Sequence, residues 1–309
     1  MNVTAGGTED HAAEDDVVHD TRDVQVRGLR LRLHGWRPAG DPIGPTVLVL
    51  HGFLDSGATF EALGQLMASA GLRVVAPDLR GFGDSDRVGA GGYYHFPDYV
   101  ADVADLADKL ADEHPAPLAV VGHSMGGGIA TLFAGALPDR VARLAVLEGW
   151  GPMHVEPDLA VDQMRRHLAD LRKVERAGRP IASLEEATAR LAATHPRVDR
   201  DILAGIAEKL TRCDAEGRLT WAWDPLHRTT SPMPFNAQVY TSFLRAISCP
   251  VLSISGGPTG FHPPDEEERL REVRKLRRAE IPGAGHMMHW SAPDAVAALL
   301  VPFLLEGQR

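Results

Sequence analysis

Five short runs of β-branched and other apolar residues, each ending in glycine, proline or a polar residue, constrain the fold of this chain most. Such runs are typical of strands buried on both faces of a parallel sheet that helices cover. Segments with helical periodicity lie between most of them, so strand and helix alternate along the chain. This alternation predicts a doubly wound α/β fold, with functional residues at the carboxyl ends of the strands. The five runs are residues 46–52, 72–78, 118–124, 144–150 and 251–257.

The regular alternation breaks once, between residues 151 and 241. This stretch consists mainly of amphipathic helical patterns and has no buried strand run. We therefore predict a helical cap, 151–241, inserted between two parts of one α/β core, 25–150 and 242–309. The core begins with residues 24–36, where apolar and polar residues alternate about a glycine as in a hairpin of half-exposed strands.

The amino terminus has a different composition from the rest of the chain. Residues 1–24 hold seven acids and one base, so they account for −6 of the formal charge of −10. An acidic segment without aromatic residues buries too little apolar surface to become ordered. We expect residues 1–24 to form a disordered tail.

The composition of the 309 residues excludes several classes of protein. No basic stripe is present for nucleic acid, and no run of about 18 apolar residues is present for a membrane span. Cys213 and Cys249 lack the spacing of a disulfide framework or a zinc site. The amino terminus also lacks the pattern of a secretory signal, so we expect a cytoplasmic protein that binds neither nucleic acid nor membrane.

Residues 120–128, VVGHSMGGG, carry the most specific chemical signal. Ser124 stands in a G-x-S-x-G motif directly after a strand run and directly before a helical pattern. A sharp turn there would push its Oγ out of the sheet, and the small Gly122 and Gly126 would relieve the crowding. The amino terminus of the following helix would face a developing oxyanion. Ser124 is therefore the predicted nucleophile.

With this motif in place, the chain resembles the α/β-hydrolase superfamily over roughly residues 25–306. Residues 50–57, LHGFLDSG, resemble the family's His-Gly turn, which implies an oxyanion hole made by the backbone N–H groups of Phe53 and Met125. Residues 219–235, LTWAWDPLHRTTSPMPF, and the residues after them resemble the serine hydrolase-like branch. The superfamily fold implies an insertion of the kind predicted above, with substrate choice set by the cap.

The resemblance also implies a general base. His286, in the G-A-G-H of residues 283–286, stands where the family carries its histidine, after the last short strand and before the terminal helix. His289 is the competing candidate because it lies only three residues further along. We predict His286 as the base, since His289 is closer to the start of the helix.

The carboxylate that should orient this histidine is missing from its usual place. The family generally has an aspartate after the strand at 251–255, but residues 256–260, GGPTG, contain no acid. Glu148 ends the strand run before the insertion, and LEGWGPM, 147–153, resembles the turn of haloalkane dehalogenases and some lactonases that carry their acid there. We predict Glu148 as the acid. The alternatives are an acid within residues 265–268, DEEE, or a purely structural Glu148.

A serine nucleophile favours acyl transfer, because relatives that attack with aspartate form alkyl esters instead. The predicted function is hydrolysis of a small apolar ester or lactone through an acyl-enzyme, with no metal and no organic cofactor. The alternatives are a carbon–carbon bond hydrolase or cofactor-free biosynthetic enzyme, and a non-catalytic ligand-binding relative. Four apolar residues are predicted either to line the substrate pocket or to pack cap against core: Trp150, Met153, Trp223 and Met287.

Overall fold

The computed structural model describes residues 17–115, 117–174 and 179–307. Its strands are β1 (Val17–Val26), β2 (Leu29–Pro38), β3 (Val47–Leu50), β4 (Val74–Pro77), β5 (Leu118–His123), β6 (Val141–Leu147), β7 (Thr211–Cys213), β8 (Leu219–Trp221), β9 (Val251–Ser255) and β10 (Leu276–Glu280). Eight of them form one sheet in the order β1-β2-β4-β3-β5-β6-β9-β10. The pairs from β4 to β10 are parallel, and only β1 and β2 run antiparallel to their neighbours.

The α-helices of the described residues fall into two groups: those of the core cover both faces of this sheet, and the others belong to the predicted insertion. In chain order the helices are α1 (Glu61–Ser69), α2 (Phe96–Glu113), α3 (Met125–Ala136), α4 (Ala160–Lys173), α5 (Leu184–Thr194), α6 (Arg200–Leu210), α7 (Ala237–Ala246), α8 (Glu266–Arg271), α9 (Met288–Ser291) and α10 (Pro293–Leu305). One apolar core lies between the sheet and α2, α3 and α7, and a second lies between the sheet and α1 and α10. The doubly wound α/β fold is thus confirmed. None of the described helices combines the length and apolar character needed to cross a bilayer.

The five apolar runs all form strands of the sheet, as β3, β4, β5, β6 and β9. Every residue of β3 and β4 is buried, as expected for strands with helices on both sides. Helix α8 is short. It ends at Arg271 because Val273 turns into the core just before β10 begins.

The predicted boundary of the disordered tail is wrong. Residues 17–24 belong to β1, which pairs with β2 along its whole length, from Val17 opposite Pro38 to Val26 opposite Leu29. Residues 1–16 of the predicted tail lie outside the described residues. The predicted hairpin is confirmed, and its turn is the pair Arg27 and Gly28, both with positive φ.

Charge pairing explains why the acidic composition did not prevent strand formation there. Asp23 of β1 lies 3.2 Å from a guanidinium nitrogen of Arg30 and 2.8 Å from Nε of Arg32, both on β2. Arg22 reaches Glu113 at the end of α2, at 2.6 Å. Asp23 is therefore paired with bases just outside residues 1–24, and Arg22 with an acid of α2, which the composition of residues 1–24 does not reveal.

The predicted insertion is helical but shorter than 151–241. It contains α4, α5, α6 and the small β7–β8 hairpin, which the sequence patterns did not predict. By contrast, α7 begins at Ala237 and packs on α3 of the core, where the hydroxyls of Tyr240 and Thr131 lie 2.6 Å apart. The α/β core therefore resumes at Ala237, because the helix that fills this face of the sheet starts there.

Candidate active site

Ser124 lies in a tight turn between β5 and α3, with φ 52° and ψ −118°. This conformation is strained for a residue with a side chain, and it needs close backbone contacts on both sides. An added Cβ at Gly126 would overlap the carbonyl oxygen of Leu50, and one at Gly122 would overlap that of Gly126. The glycines of the motif are therefore required by the space around the turn.

His286 lies between Ser124 and Glu148 and is hydrogen-bonded to both. Its Nε2 is 3.0 Å from the Ser124 Oγ, and its Nδ1 is 3.0 Å from Oε2 of Glu148. The three side chains come from separate places: the turn after β5, the end of β6 and the loop after β10. The structure thus brings together all three residues predicted to be catalytic.

Glu148 follows β6 with φ 47°, and its side chain is buried. Its Oε1 accepts a hydrogen bond of 2.6 Å from the N–H of Gly256, and its Oε2 accepts one of 2.8 Å from the N–H of Phe261. Burial by itself would raise the pKa of this carboxyl. The hydrogen bonds from His286, Phe261 and Gly256 outweigh burial and hold the pKa below its ordinary value. The carboxylate is therefore kept ionised beside the imidazole.

The glycine loop that lacks an acid, residues 256–260, forms the binding site of the Glu148 carboxylate. An added Cβ at Gly260 would overlap the Glu148 carboxylate, and one at Gly256 would overlap the backbone of Gly285, next to His286. Only glycine leaves room at these two positions. The loop thus lacks the usual acid, and its glycines leave the space that the Glu148 carboxylate occupies instead.

Three of the four competing acids of residues 265–268 contact other partners, and Glu268 is exposed. Asp265 pairs with Arg269, and Glu267 pairs with Arg278. Glu266 lies 2.6 Å from Nδ1 of His262, whose Nε2 is 3.0 Å from the carbonyl oxygen of Gly257.

His262 is a second histidine beside the carboxylate, and the sequence patterns gave no sign of it. Its Nε2 is 3.8 Å from Oε1 of Glu148. Partial burial opposes its charge, but the Gly257 carbonyl and the two glutamates prevail and raise its pKa. A charged His262 would further favour the ionised form of Glu148.

His289, the competing base, is fully buried behind His286. Its Nε2 lies 3.0 Å from Oδ2 of Asp55, and its ring stacks on Phe60. Nε2 of the neighbouring His123 is 2.8 Å from the carbonyl oxygen of His286. Burial, and to a smaller extent the nearby histidines, hold the pKa of His123 well below its ordinary value. His289 thus has no contact with Ser124, whereas His123 supports the loop that carries His286.

Asp55, His123 and His289 are also the described residues that could offer three ligand atoms to a metal, within 4.8 Å of one another. Burial would raise the pKa of Asp55, but its hydrogen bond to His289 and the nearby histidines lower it. Because one His289 nitrogen is already paired with Asp55, the group serves as a buried hydrogen-bonded support. The sequence patterns did not predict the pairing of Asp55 with His289.

The two predicted oxyanion donors border the nucleophile. Met125 is the first residue of α3, so its N–H has no acceptor within the helix. An added Cβ at Gly52 would lie 3.2 Å from the Cβ of Ser124, so the turn carrying Phe53 lies directly beside the serine. Phe53, Met125 and Ser124 all line the same cavity. An oxyanion hole formed by the N–H groups of Phe53 and Met125 is compatible with this placement and stays a prediction.

This cavity has a volume of about 1130 Å³ and is lined mainly by apolar side chains. Of the four predicted pocket residues, only Met153 lines it. Trp150 is buried, with its indole N–H donating to Ser253 Oγ; Trp223 stacks on Trp221; and Met287 packs in the core of α5 and α6. The cavity wall includes aromatic residues that the sequence analysis did not select: Tyr93, Tyr94, Phe96, Tyr99, Phe235, Tyr240, Phe243 and Phe261.

Comparisons with known proteins identify the family of the chain. A family model described as the alpha/beta hydrolase fold matches residues 45–293. A serine hydrolase-like protein of Danio rerio is 26% identical over 285 residues, covering 89% of this chain and 85% of the relative. The sn-1-specific diacylglycerol lipase ABHD11 of Mus musculus is 28% identical over 272 residues, covering 84% of this chain and 82% of the relative.

Among solved structures, the thioesterase domain from the curacin biosynthetic pathway superimposes with a TM-score of 0.80 at 26% identity. The match covers 92% of this chain and 99% of that domain. Full-length matches of this kind extend the similarity beyond the serine motif to the insertion and the last strands.

Proposed function

Because the chain belongs to the α/β-hydrolase fold family, we propose that this hydrolase cleaves carboxylic ester or lactone bonds with Ser124 as nucleophile. The observation that carries the proposal is the hydrogen-bonded series from Ser124 Oγ through His286 to Glu148, with 3.0 Å at each step. Such a series supplies a nucleophile, a base and an orienting acid.

In the first half of the proposed reaction, Ser124 Oγ attacks the carbonyl carbon while Nε2 of His286 takes its proton. The N–H groups of Phe53 and Met125 stabilise the oxyanion of the tetrahedral intermediate. Glu148 holds Nδ1–H and stabilises the imidazolium. The carbon–oxygen bond to the alcohol then breaks, and Nε2 returns the proton to the leaving oxygen. The acyl group remains on Ser124.

In the second half, His286 removes a proton from a water molecule that attacks the acyl carbon. The bond to Ser124 Oγ breaks, the proton returns to the serine, and the carboxylic acid is released. Each proton moves between Nε2 of His286 and an oxygen atom of serine, alcohol or water. Both halves of the reaction therefore need no other proton donor or acceptor.

The cavity supports an apolar acyl group as part of the substrate. Its volume of about 1130 Å³ exceeds what a short ester fills. Residues of the insertion, among them Met153, Gln163 and Met233, form one side of the wall. We therefore propose that the insertion is a cap over the active site. The names of the relatives, a diacylglycerol lipase and a thioesterase domain, fit substrates with an acyl chain.

The non-catalytic alternative was motivated by the missing acid after β9. Since Glu148 is hydrogen-bonded to His286 from the end of β6, that motive no longer applies. No observation separately favours carbon–carbon bond hydrolysis, which would use the same three side chains.

Labelling of the wild-type protein by a fluorophosphonate, with hydrolysis of p-nitrophenyl esters, tests the proposal. We expect one adduct, on the peptide that contains Ser124, and turnover of both short and medium acyl chains. The other serines in the same digest are the internal control. Absence of labelling would refute the serine mechanism, and labelling without ester turnover would favour the carbon–carbon alternative.

The glycine loop provides a second test. Gly260→Ala places a Cβ where the Glu148 carboxylate lies, and the φ of Gly260 is outside the left-handed region, so alanine suits the backbone. The carboxylate must move away from His286. We expect kcat/KM to fall by at least about tenfold, or roughly 1.4 kcal/mol of transition-state stabilisation.

Gly205→Ala is the matched control, because an added Cβ there meets no atom within 4 Å. Gly205 lies within α6, so we expect unchanged kcat/KM and a gain of about 1 kcal/mol in unfolding free energy. Full activity in folded Gly260→Ala would show that Glu148 need not occupy this position.

A further inference from the structure

Helix α4 of the insertion is oriented with its polar side inward. Gln163 is buried and donates through Nε2 to the carbonyl oxygens of Ser231 and Met233, at 3.0 and 2.9 Å. His167 is also buried, and its Nδ1 is 2.8 Å from the carbonyl oxygen of Thr230. These contacts fix the helix on the loop 230–233 by hydrogen bonds in place of apolar packing.

The apolar residues of α4 face solvent instead. Their exposed fractions are 60% for Val161, 36% for Met164, 48% for Leu168 and 37% for Leu171. At about 100° per residue they lie within an arc of about 80°, so they form one continuous stripe over three turns. A surface helix normally buries such a stripe. Leaving it in water forgoes stabilisation by burial, which indicates that the stripe has a partner.

Basic residues border the stripe. Arg165 and Arg172 adjoin it on one side in the helix projection, and Arg166 and Lys173 follow further round. The acids of α4 are engaged: Asp162 pairs with Arg165, and Asp170 accepts hydrogen bonds from Thr230. Four bases against two acids give this helix an excess of positive charge, although the chain as a whole is acidic. The partner should therefore be apolar with negative charge at its border.

A second copy of the chain fits this pattern poorly. The stripe residues 161, 164, 168 and 171 have the a/d spacing of a coiled coil, so Arg165 and Arg172 take e positions. In an antiparallel pair of α4 helices e positions face e positions, so arginines of the two copies would approach each other. This like-charge contact disfavours self-association.

The exposed apolar surface continues at the mouth of the active-site cavity. Met153, Met233 and Val239 line the cavity and are 50%, 65% and 59% exposed. Gln163 of α4 lines it too, and its side chain is bonded to the backbone of Met233. The helix and the cavity mouth are thus joined through Gln163. Exposed apolar side chains on both make a surface broader than the groove one helix would fill, which suits a fluid apolar phase.

We propose that α4 and the cavity mouth dock on the surface of an anionic phospholipid bilayer. The stripe would enter the interface in the plane of the membrane, with Arg165 and Arg172 at the level of the phosphate groups. An apolar ester dissolved in the bilayer would then enter the cavity directly. Docking follows from the surface alone, whereas delivery of an ester rests on the proposed function.

Flotation of the full chain with vesicles tests the docking. We expect binding to vesicles of phosphatidylglycerol mixed with phosphatidylcholine, weaker binding to phosphatidylcholine alone, and loss of binding as salt rises. The double variant Met164→Glu and Leu168→Glu should bind at least tenfold more weakly. It should hydrolyse a water-soluble short ester like the wild type, because neither residue lines the cavity.

Ile202→Glu is the matched control, since Ile202 is a 37% exposed residue of α6, which packs against the other side of the core. It should bind vesicles like the wild type. Ser124→Ala should also bind normally, so a failure of the proposed chemistry is distinguishable from a failure of docking.

Two results would overturn the docking proposal. One is equal vesicle binding by the wild type and the double variant, or no binding by either. The other is a wild-type dimer in size-exclusion chromatography that the double variant dissociates, which would assign the stripe to a second copy.

Discussion

Ser124→Ala is expected to lower kcat for a p-nitrophenyl ester by roughly 10⁶-fold, the scale for removal of a nucleophile from a working triad. Alanine removes the only oxygen within hydrogen-bond distance of Nε2 of His286 among the described side chains. The remaining donors at Phe53 and Met125 could still polarise a carbonyl, so residual activity above the uncatalysed rate is expected.

The measurement is steady-state hydrolysis together with fluorophosphonate labelling, which should disappear. Ser242→Ala is a suitable control, because Ser242 lies on α7 of the core but does not itself line the cavity. Undiminished turnover in folded Ser124→Ala would reject the serine mechanism, since no acyl-enzyme could form there.

Glu148→Gln is expected to lower kcat by about 10⁴-fold, as when a triad aspartate becomes an amide. The glutamate oxygens accept from His286, Gly256 and Phe261. A glutamine has only one oxygen, so its NH₂ must face either a backbone N–H or the imidazole Nδ1. Either arrangement costs a buried hydrogen bond or selects the wrong tautomer of His286.

Glu266→Gln is the control for this variant, because it also removes one charge from the neighbourhood of His262 but lies away from His286. We expect its kcat to change by less than about tenfold. If Glu148→Gln stayed active while a substitution within 265–268 abolished turnover, the acid would have been misassigned.

The pH dependence of stability gives an independent readout. Because the folded-state pKa of Glu148 is below its ordinary value, its ionisation stabilises the fold above the unfolded pKa, and this contribution is lost as pH falls through the folded value. The difference in unfolding free energy between the wild type and Glu148→Gln should therefore shrink on acidification. Chemical denaturation at neutral and acidic pH measures it.

Local sequence patterns were sufficient for the buried strands of the sheet and for the serine turn, whereas His286 and Glu148 were predicted from the resemblance to the α/β-hydrolase superfamily. Each buried run is recognisable because both faces of a central strand must be apolar. The serine turn is recognisable because its geometry tolerates only small neighbours. Glu148 was located because the position after β9 lacks an acid and β6 ends in one.

The cavity wall and the edges of the fold required the tertiary structure. Trp150, Trp223 and Met287 look like pocket residues by type, but an apolar side chain can face the cavity or the core, and only packing decides between them. Likewise, β1 pairs with charges on the neighbouring β2 and on the distant α2, which lie outside the acidic segment itself.

The sequence by itself determined the α/β alternation and the serine turn, because these depend on chain geometry and on residues a few positions apart. For the acid it offered Glu148 by resemblance and left residues 265–268 as the alternative. Only the tertiary structure decided what the residues of the 256–260 loop do. Gly256, Gly260 and Phe261 surround a carboxylate more than one hundred residues away in sequence. Hydrogen-bond direction and steric space across neighbouring strand ends have no local sequence pattern. The same reason explains why α4 was recognisable as amphipathic but its outward-facing apolar side was not.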